Sequence, residues 1–436
     1  MNRKKLVVVG SGISGLSASF FLSHKFDVCL LEKNNYLGGH TRTKTIEEDN
    51  NLYNIDTGFI VFNENNYPDL ISFFNYLNIQ TANSDMSFSY CLKKLNFEYG
   101  GSNFRSLFAQ PKNFLSLKFF FLINEIRKLY NDCNNLVFDK SYLNLTIKEF
   151  LEKKGYSNDL KNLHIYPMIS SIWSCNQNNI ENFPFISFLN FFKNHGLFKL
   201  KKRPIWKYVV GGSKVYVEKL VEKKYFDYQT NCLVKKIIRK KDKIIIQTNK
   251  QKEIVADKLV LATHADQSLS ILEQPSEIEK KILSQFKYTK NQAFLHSDEN
   301  FMPNNKAAWS SWNFISNNKD NKKFSLTYWM NNLQKINSKK NYFVTINPEV
   351  VPQTKLDFTI FEHPIFDLNT IKAQKDISLI QGNLNTYYCG SYCGYGFHED
   401  GIQSAAFIAK KLNINLPWKR HRNFENRLYY NNKFYD

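Results

Sequence analysis

The sequence predicts an α/β protein in which a domain with a parallel, helix-flanked sheet is interleaved with an α+β domain built on a mixed sheet. At the N-terminus the apolar run Lys5–Val9 leads through glycines into a small-residue helix, 13–22, and a second apolar run, 27–32, which together form an opening β-α-β unit. A strand–glycine–helix pattern returns at 386–408. With 436 residues, 43% of them hydrophobic, the chain can bury two domain cores.

Shorter patterns predict the elements between these two ends. The aromatic-rich stretch 64–200 is predicted to be mostly helical, because its apolar residues show no strand alternation. Further strands are predicted at 232–239 and 243–248, joined as a hairpin by Lys240-Lys241-Asp242, then at 257–262, and in a second sheet at 290–297, 324–330 and 342–347.

The glycine pattern after the first strand is typical of a dinucleotide site. Gly10 is placed for a tight turn, Gly12 for close approach of a pyrophosphate, and Gly15 for close packing of helix on strand. The N-terminus of the following helix offers free N–H groups and a positive dipole end to phosphates. Glu32, at the end of the second strand, lies at the spacing where a carboxylate accepts ribose hydroxyls.

Two more glycine segments favour FAD over NAD as the bound dinucleotide. Gly38-Gly39 follows Glu32 closely and lets the chain pass the pyrophosphate a second time. Far downstream, Gly390-Ser391 leads to His398-Glu399-Asp400-Gly401, where a second helix begins and offers another dipole end. A ligand contacted from both ends of the chain must be long, and FAD is long.

On these residues the sequence resembles the flavin-containing amine oxidase superfamily, which includes protoporphyrinogen oxidases and phytoene desaturases, and within it a bacterial group of NAD/FAD-binding oxidoreductases. The resemblance is carried by Gly10–Gly15, Glu32, Gly38-Gly39, Asp56-Thr57-Gly58-Phe59, Gly211-Gly212-Ser213, Val260–His264 and Gly390–Gly401. It implies a Rossmann-type FAD-binding domain, with a ββα-containing parallel sheet, formed by 1–63, 206–265 and 381–436. The substrate domain would comprise a helical part, 64–205, and a sheet, 266–380.

The resemblance also implies roles for single residues. Glu32 would hold the adenosine ribose, Val234 would meet the adenine through its backbone, Gly390 and Ser391 would lie along the ribityl phosphate, and Asp400 and Gly401 would present backbone N–H groups to the flavin. The residues expected to bind FAD are Gly10, Gly12, Ile13, Ser14, Gly15, Glu32, Lys33, Gly38, Gly39, His40, Thr41, Arg42, Thr57, Gly58, Phe59, Val234, Ala262, Gly390, Ser391, Asp400, Gly401 and Ile402.

Two positions depart from the amine oxidase pattern. His40 stands where amine oxidases usually have an arginine, so Arg42, two residues later, is an alternative source of charge for the pyrophosphate. Asn291 aligns loosely with a lysine near the reactive nitrogen of the flavin, and the loss of that lysine argues against amine oxidation.

Three residues are candidates for a catalytic role: Phe397, Asn291 and His398. Phe397 occupies the position of an aromatic ring that faces the flavin in amine oxidases, with core packing as an equal alternative. His398, like His195 and His264, lies near a glycine or a strand end, where a single histidine is more often structural than catalytic. No metal site is predicted.

The Phe-rich segment 113–122 has three interpretations: an apolar substrate tunnel, a membrane-surface contact, and a core helix, of which the core helix is favoured because Phe is usually buried. The aromatic density between 88 and 206 predicts an apolar, lipid-like substrate and hence an FAD-dependent oxidase or desaturase. An amine oxidase and a non-redox flavin-dependent isomerase or mutase remain alternatives.

Charge and cysteine usage bear on location and partners. The net charge of +20 is spread along the chain without a nucleic-acid motif, so no nucleic-acid partner is predicted, whereas peripheral contact with an anionic membrane is allowed. Seven scattered cysteines without a Cys-x-x-Cys pair fit a reducing cytoplasm. The oligomeric state, the substrate and the electron acceptor are not predicted.

Overall fold

The structure, a computed structural model, describes residues 3–137, 140–175, 177–199, 203–250, 253–317, 324–420 and 426–428. The strands within these ranges are β1 Lys5–Val9, β2 Asp27–Leu31, β3 Thr43–Glu48, β4 Asn51–Asp56, β5 Phe62–Asn63, β6 Thr81–Asn83, β7 Phe88–Leu92, β8 Phe97–Gly100, β9 Trp206–Val209, β10 Asp227–Gln229, β11 Val234–Arg239, β12 Ile244–Thr248, β13 Ile254–Ala256, β14 Lys258–Leu261, β15 Lys287–His296, β16 Trp312–Ser316, β17 Ser325–Trp329, β18 Phe343–Ile346, β19 Lys355–Ile365 and β20 Thr386–Tyr388.

The α-helices of the same ranges are α1 Ile13–Leu22, α2 Pro68–Tyr76, α3 Phe104–Leu107, α4 Leu117–Asn134, α5 Ile147–Lys153, α6 Asn158–Leu160, α7 Tyr166–Trp173, α8 Gln177–Glu181, α9 Phe185–Asn194, α10 Lys214–Glu222, α11 Ala265–Ile271, α12 Glu277–Leu283, α13 Met330–Leu333, α14 Leu368–Asp376 and α15 His398–Lys411. Parts of the predicted C-terminal segment of the first domain, 421–425 and 429–436, lie outside the described residues.

The first sheet is parallel throughout, in the order β10-β2-β1-β14-β20. Its central strand β1 is fully paired, with Val8 between Leu30 of β2 and Val260 of β14. Helices α1 and α15 pack on this sheet, and their apolar residues share one buried cluster with the strands. The predicted opening β-α-β unit and the returning C-terminal strand and helix are therefore confirmed, as is the α/β fold class.

The second sheet is mixed and has the order β19-β15-β18-β17-β16-β7-β8. Strands β16 and β7 run parallel, and the other neighbours are antiparallel. The predicted strands β15, β17 and β18 are present, but the largely helical prediction for 64–200 was wrong for 81–100, where β6, β7 and β8 form. Short apolar runs such as Phe88–Leu92 fit a buried strand or a buried helix equally, and pairing with β16 decides the outcome.

The Phe-rich segment does not form the core helix that the sequence favoured. One face of α4 is buried, through Phe119, Leu122, Ile126, Leu129, Tyr130 and Cys133. The opposite face leaves Leu117 86%, Phe120 46% and Phe121 59% exposed. The sequence could not distinguish the two faces, because Phe occurs on both. Within the described residues, no helix is both long enough and apolar enough to span a bilayer.

Candidate functional site

The three glycines of the loop between β1 and α1 differ in what a side chain at each position would meet. Gly10 has φ of +97°, and a Cβ there would lie 2.9 Å from the Ala262 carbonyl oxygen. A Cβ at Gly15 would lie 1.8 Å from the Gly10 carbonyl oxygen, so glycine is needed for the helix to pack on the strand. Gly12 differs from both, because a Cβ there would meet nothing within 4 Å. The space beside Gly12 is open.

The second glycine pair folds onto this loop. Gly38 N–H donates to the Ser11 carbonyl oxygen at 3.0 Å, and Gly38 and Gly39 both have positive φ. A Cβ at Gly39 would lie 3.1 Å from Gly12 Cα. The two predicted phosphate loops, Gly10–Gly15 and Gly38-Gly39, are separate in the chain but meet at Gly12.

The C-terminal helix brings its N-terminus to the same place. A Cβ at Gly401 would lie 2.7 Å from both Ile13 Cγ2 and Ser14 Oγ, so the first turns of α1 and α15 are in direct contact. Gly390 follows β20, and its N–H donates to Ser404 Oγ of α15 at 3.0 Å. Two positive helix ends therefore converge at the carboxyl edge of the parallel sheet, where open α/β sheets bind ligands.

Glu32 is a buried carboxylate with fixed orientation. Its Oε2 accepts from Ser11 N–H at 2.9 Å and Ser11 Oγ at 2.6 Å, and its Oε1 accepts from Asn34 N–H at 2.9 Å. Its backbone carbonyl accepts from Cys232 N–H at 2.8 Å. This last bond brings Cys232, two residues before β11, next to Glu32, and Val234 at the start of β11 is buried. The adenosine contacts expected of Glu32 and Val234 stay predictions.

The residues at the site fit an elongated dinucleotide. The open space at Gly12 lies between two glycine loops and beside two helix N-termini, and the Glu32 carboxylate accepts from Ser11, the residue before Gly12. His40, adjacent to Gly39, has a buried Nε2 atom without a hydrogen-bond acceptor or donor among the described residues. A ligand with polar groups would satisfy this atom.

Neither of the two side chains predicted to supply positive charge to the pyrophosphate, His40 and Arg42, has a free positive charge. Burial and the nearby His264 lower the pKa of His40 from 6.5 to about 4, so its imidazole is neutral at pH 7. Arg42 forms an ion pair with Asp357 and donates to Thr57 Oγ1 at 3.2 Å. The helix ends and backbone N–H groups are therefore the main anion-binding features.

Residues 57–59 run antiparallel to 40–42 rather than forming a free turn. Thr57 N–H donates to the Arg42 carbonyl at 2.8 Å, and Phe59 N–H donates to the His40 carbonyl at 2.8 Å. A Cβ at Gly58 would lie 2.1 Å from that carbonyl oxygen, so the glycine is required by the neighbouring chain.

Asp56 connects the N-terminal and middle segments of the first domain. Its buried carboxylate accepts from Ser213 N–H at 2.8 Å, Ser213 Oγ at 2.7 Å, Thr43 Oγ1 at 2.5 Å and Gln334 Nε2 at 2.9 Å. Burial raises the pKa of Asp56 from 3.8 to about 6 despite these donors. The Gly211-Gly212-Ser213 motif thus has a structural role in positioning 56–59.

His398 is held in the first domain by packing and hydrogen bonds. Its ring stacks on Phe59 with centroids 3.6 Å apart, and its Nε2 lies 3.0 Å from Thr41 Oγ1 and 3.3 Å from the Tyr216 hydroxyl. Burial lowers the pKa of His398 to about 3. Both Thr41 and His398 therefore already have hydrogen-bond neighbours, and their predicted cofactor and catalytic roles stay predictions.

Asn291 belongs to a hydrogen-bonded chain that sequence reasoning missed. Gln292 N–H donates to Asn347 Oδ1 at 2.8 Å, which leaves Asn347 Nδ2 to donate to Asn291 Oδ1 at 2.7 Å. Asn291 Nδ2 then donates to Nδ1 of His363 at 2.7 Å. Because Nδ1 accepts, neutral His363 must carry its proton on Nε2.

His363 lies beside the predicted cofactor residues. Its ring centroid is 5.2 Å from that of His40, and burial lowers the pKa of His363 to about 3. It is on β19, which was not predicted from the sequence, although the alternation of Leu356, Phe358 and Ile360 with polar residues is a strand pattern that could have found it.

Phe397 lies where the two domains meet. It is half-buried and packs against both the cluster around the parallel sheet and the helical cluster of the second domain. Its ring stacks on Phe191 at 5.0 Å and lies 6.1 Å from Trp173. His195, also in this region, is buried, stacks on Phe191 at 3.8 Å, and its Nδ1 lies 2.8 Å from the Phe191 carbonyl oxygen.

The other predicted residues differ in how far they are buried. Ile13, Ser14, Asp400 and Ile402 are buried in the contact between α1 and α15, and Ala262 and Ser391 are half-buried at the carboxyl ends of β14 and β20. Lys33 is exposed. His264 follows β14, stacks on Tyr288 at 4.2 Å and pairs with Glu362 at 3.2 Å.

The fold and site define a protein with a Rossmann-type dinucleotide-binding domain joined to a second domain on a mixed sheet. Residues 8–77 match the family of NAD(P)-binding Rossmann-like domains. None of the curated proteins matches the chain by sequence.

Solved structures share the whole fold. A putrescine oxidase bound to putrescine is 13% identical, covers 94% of this chain and 99% of its own, and has a TM-score of 0.66. A candidate protoporphyrinogen oxidase from Exiguobacterium sp. 255-15 is 15% identical, with 94% and 99% coverage and a TM-score of 0.65. A fatty acid isomerase from P. acnes that produces CLA is 14% identical, with 93% and 98% coverage and a TM-score of 0.66. At these identities the likenesses show the fold alone, and they confirm the predicted α/β fold with a second domain on a mixed sheet.

Proposed function

We propose that the protein binds FAD and is an FAD-dependent oxidoreductase that removes a hydride from an apolar substrate. The observation that carries the cofactor proposal is the convergence of the Gly12 loop, Gly39 and the N-termini of α1 and α15 around open space. NAD would need one such loop and one helix end, whereas contacts from both ends of the chain suit a longer dinucleotide.

Residues of this chain would then bind and orient FAD. Glu32 would accept hydrogen bonds from the adenosine ribose, and the backbone N–H groups of the first turns of α1 and α15 would face the pyrophosphate and the flavin. FAD supplies the two-electron acceptor for a substrate hydride. His363, protonated on Nε2, would offer a fixed hydrogen-bond donor close to His40.

The apolar character of the substrate rests on the surroundings of Phe397. Its neighbours Phe191 and Trp173 are buried aromatic residues, and they continue into the helical cluster of the second domain. A pocket opening there would be lined by aromatic side chains, which suits a lipid-like chain better than a cation. Two alternatives keep support: an amine oxidase and a non-redox isomerase, since a putrescine oxidase and a fatty acid isomerase share the fold.

The test has two steps. The purified protein is expected to be yellow and to release FAD, and neither FMN nor NAD, on denaturation; a protein that stays colourless after addition of FAD would contradict the proposal. Anaerobic incubation with long-chain lipids is expected to bleach the flavin. Bleaching by simple amines alone would favour an amine oxidase, and conversion of a lipid without net bleaching would favour an isomerase.

A further inference from the structure

An exposed apolar patch lies on the second domain, and its members come from two neighbouring segments. Its six residues are Phe104, Phe114, Leu115, Leu117, Phe120 and Phe121, with exposed fractions of 68, 47, 90, 86, 46 and 59%. Isolated exposed apolar residues are ordinary, but a contiguous group of this size needs an explanation.

The patch is contiguous through the half-buried Phe108. The ring of Phe108 stacks on Phe114 at 4.0 Å and lies 4.8 Å from Phe104 and 6.0 Å from Phe120. Phe104 and Phe114 are themselves 5.7 Å apart. Leu115 and Leu117 are the most exposed members and flank Ser116, which caps α4 by accepting from Phe119 N–H. The patch is therefore built on a fixed helix start rather than on a loop tip.

The charged residues within the two segments that form the patch have one sign. Residues 101–124 contain Arg105, Lys112 and Lys118 and no Asp or Glu. Lys118 is paired with Asp159 at 3.1 Å, and Arg105 and Lys112 are exposed. The exposed residues at the start of α4 are apolar, and two turns later the exposed residues are the basic pair 127–128. The apolar ones are Leu117, Phe120 and Phe121. Exposed apolar residues beside basic residues on one surface suit an anionic lipid interface, because the apolar side chains can bury below the headgroups while the cations attract acidic lipids.

We infer that this patch binds the surface of an anionic lipid bilayer. The apolar side chains would enter the boundary between headgroups and acyl chains, and Arg105, Lys112 and the 127–128 pair would lie at the level of the acidic headgroups. A second copy of this chain fits the same surface less well, because an isologous contact would place like-charged rims together in a protein of net charge +20. The inner face of the same helix belongs to the cluster that reaches Phe397, so the bilayer would lie against the domain proposed to take an apolar substrate.

The experiment is co-sedimentation of the full chain with phosphatidylcholine vesicles that contain or lack phosphatidylserine. The double variant Leu115→Ser/Leu117→Ser should reduce the partition coefficient on acidic vesicles at least roughly tenfold, because two exposed apolar side chains no longer insert. Its matched control is Val350→Ser/Val351→Ser, which removes two apolar residues that are 68 and 62% exposed elsewhere and should bind like the wild type. Since all four residues are exposed, folding should be unaffected.

A second pair of variants tests whether vesicle binding depends on the cations beside the patch or only on the net charge of the protein. Arg105→Gln/Lys112→Gln should weaken binding to acidic vesicles by roughly 25-fold, at about fivefold per cation near the surface. Lys240→Gln/Lys241→Gln, in the exposed turn between β11 and β12, removes the same net charge and should leave binding within about twofold. Equal losses in the two charge variants, or no vesicle binding by the wild type, would overturn the proposal. So would a wild-type dimer that Leu115→Ser/Leu117→Ser dissociates without changing vesicle binding.

Discussion

Substitution of Gly12 should abolish FAD binding without unfolding the protein. Gly12 has φ of −63° and ψ of 178°, which any residue can adopt, and a Cβ there meets nothing within 4 Å. Replacing glycine in a compatible conformation stabilises a protein by about 0.4–1 kcal/mol through the unfolded state. Replacing glycine by alanine at a helix N-cap lowers stability by about the same amount. The two effects oppose each other, so the free energy of unfolding should change by less than about 1 kcal/mol.

The affinity for FAD, in contrast to the stability, should fall strongly when Gly12 is replaced. A side chain at Gly12 would occupy the space proposed for the pyrophosphate, and each hydrogen bond from a backbone N–H to a charged phosphate is worth about 1.5–3 kcal/mol. Losing two of them would weaken FAD binding by roughly 10²- to 10⁴-fold. Gly12→Val, with its branched side chain, should show the larger loss.

The assay compares apo-protein stability in urea with FAD affinity from quenching of flavin fluorescence. Gly15→Ala is the contrasting variant, because its Cβ would overlap the Gly10 carbonyl oxygen at 1.8 Å. It should destabilise the apo-protein by about 1–3 kcal/mol or more. A folded Gly12→Val protein that binds FAD like the wild type would refute the placement of the pyrophosphate.

Three further predictions concern polar groups. Glu32→Ala should weaken FAD binding and also lower apo-protein stability by about 1–3 kcal/mol per orphaned N–H donor, measured by urea unfolding; unchanged FAD affinity would mean that Glu32 serves the fold alone. Asn291→Leu should convert the imidazole of His363 from the Nε2–H tautomer to a mixture, visible in ¹⁵N chemical shifts, and identical spectra would contradict the hydrogen-bond chain. Arg239→Met should cost about 3–5 kcal/mol, because it removes the charged partner of the buried Glu279 carboxylate and leaves only the neutral donors of Tyr388 and Ser276. Burial opposes ionisation of Glu279, but donors led by Arg239 lower its pKa from 4.5 to about 2, so the wild type should lose this stability only as pH falls from 4.5 towards 2. That acid limb should become smaller in the variant, where Tyr388 and Ser276 still donate to the carboxylate, and an acid limb of unchanged size in urea unfolding at a series of pH values would contradict the assignment.

The dinucleotide half of the site could be predicted because it is local in sequence. Gly10, Gly12 and Gly15 are needed at a fixed spacing between a strand and a helix, and Glu32 follows at the end of the next strand. Each of these residues performs its role through its own backbone or its nearest element. Short-range sterics therefore determine both the pattern and its geometry.

The substrate side was decided by contacts between distant segments. Strand β7 pairs with β16, β8 pairs with β7, and β19 pairs along its length with β15. His363 and Asn347 had no pattern of their own, because the hydrogen bonds that orient them cross between strands. Apolar runs carry the same signal for helix and strand, and tertiary pairing supplies the missing information.

The sequence by itself determined the parallel sheet, the glycine loops and the acidic residue that follows β2, since backbone conformation and close packing require particular residues there. Only the tertiary structure decided that Gly39 and Gly401 meet the loop of Gly10–Gly15, and that one face of α4 stays exposed. A residue's burial depends on what the rest of the chain places against it, and phenylalanines in one helix look alike until a neighbour covers some of them.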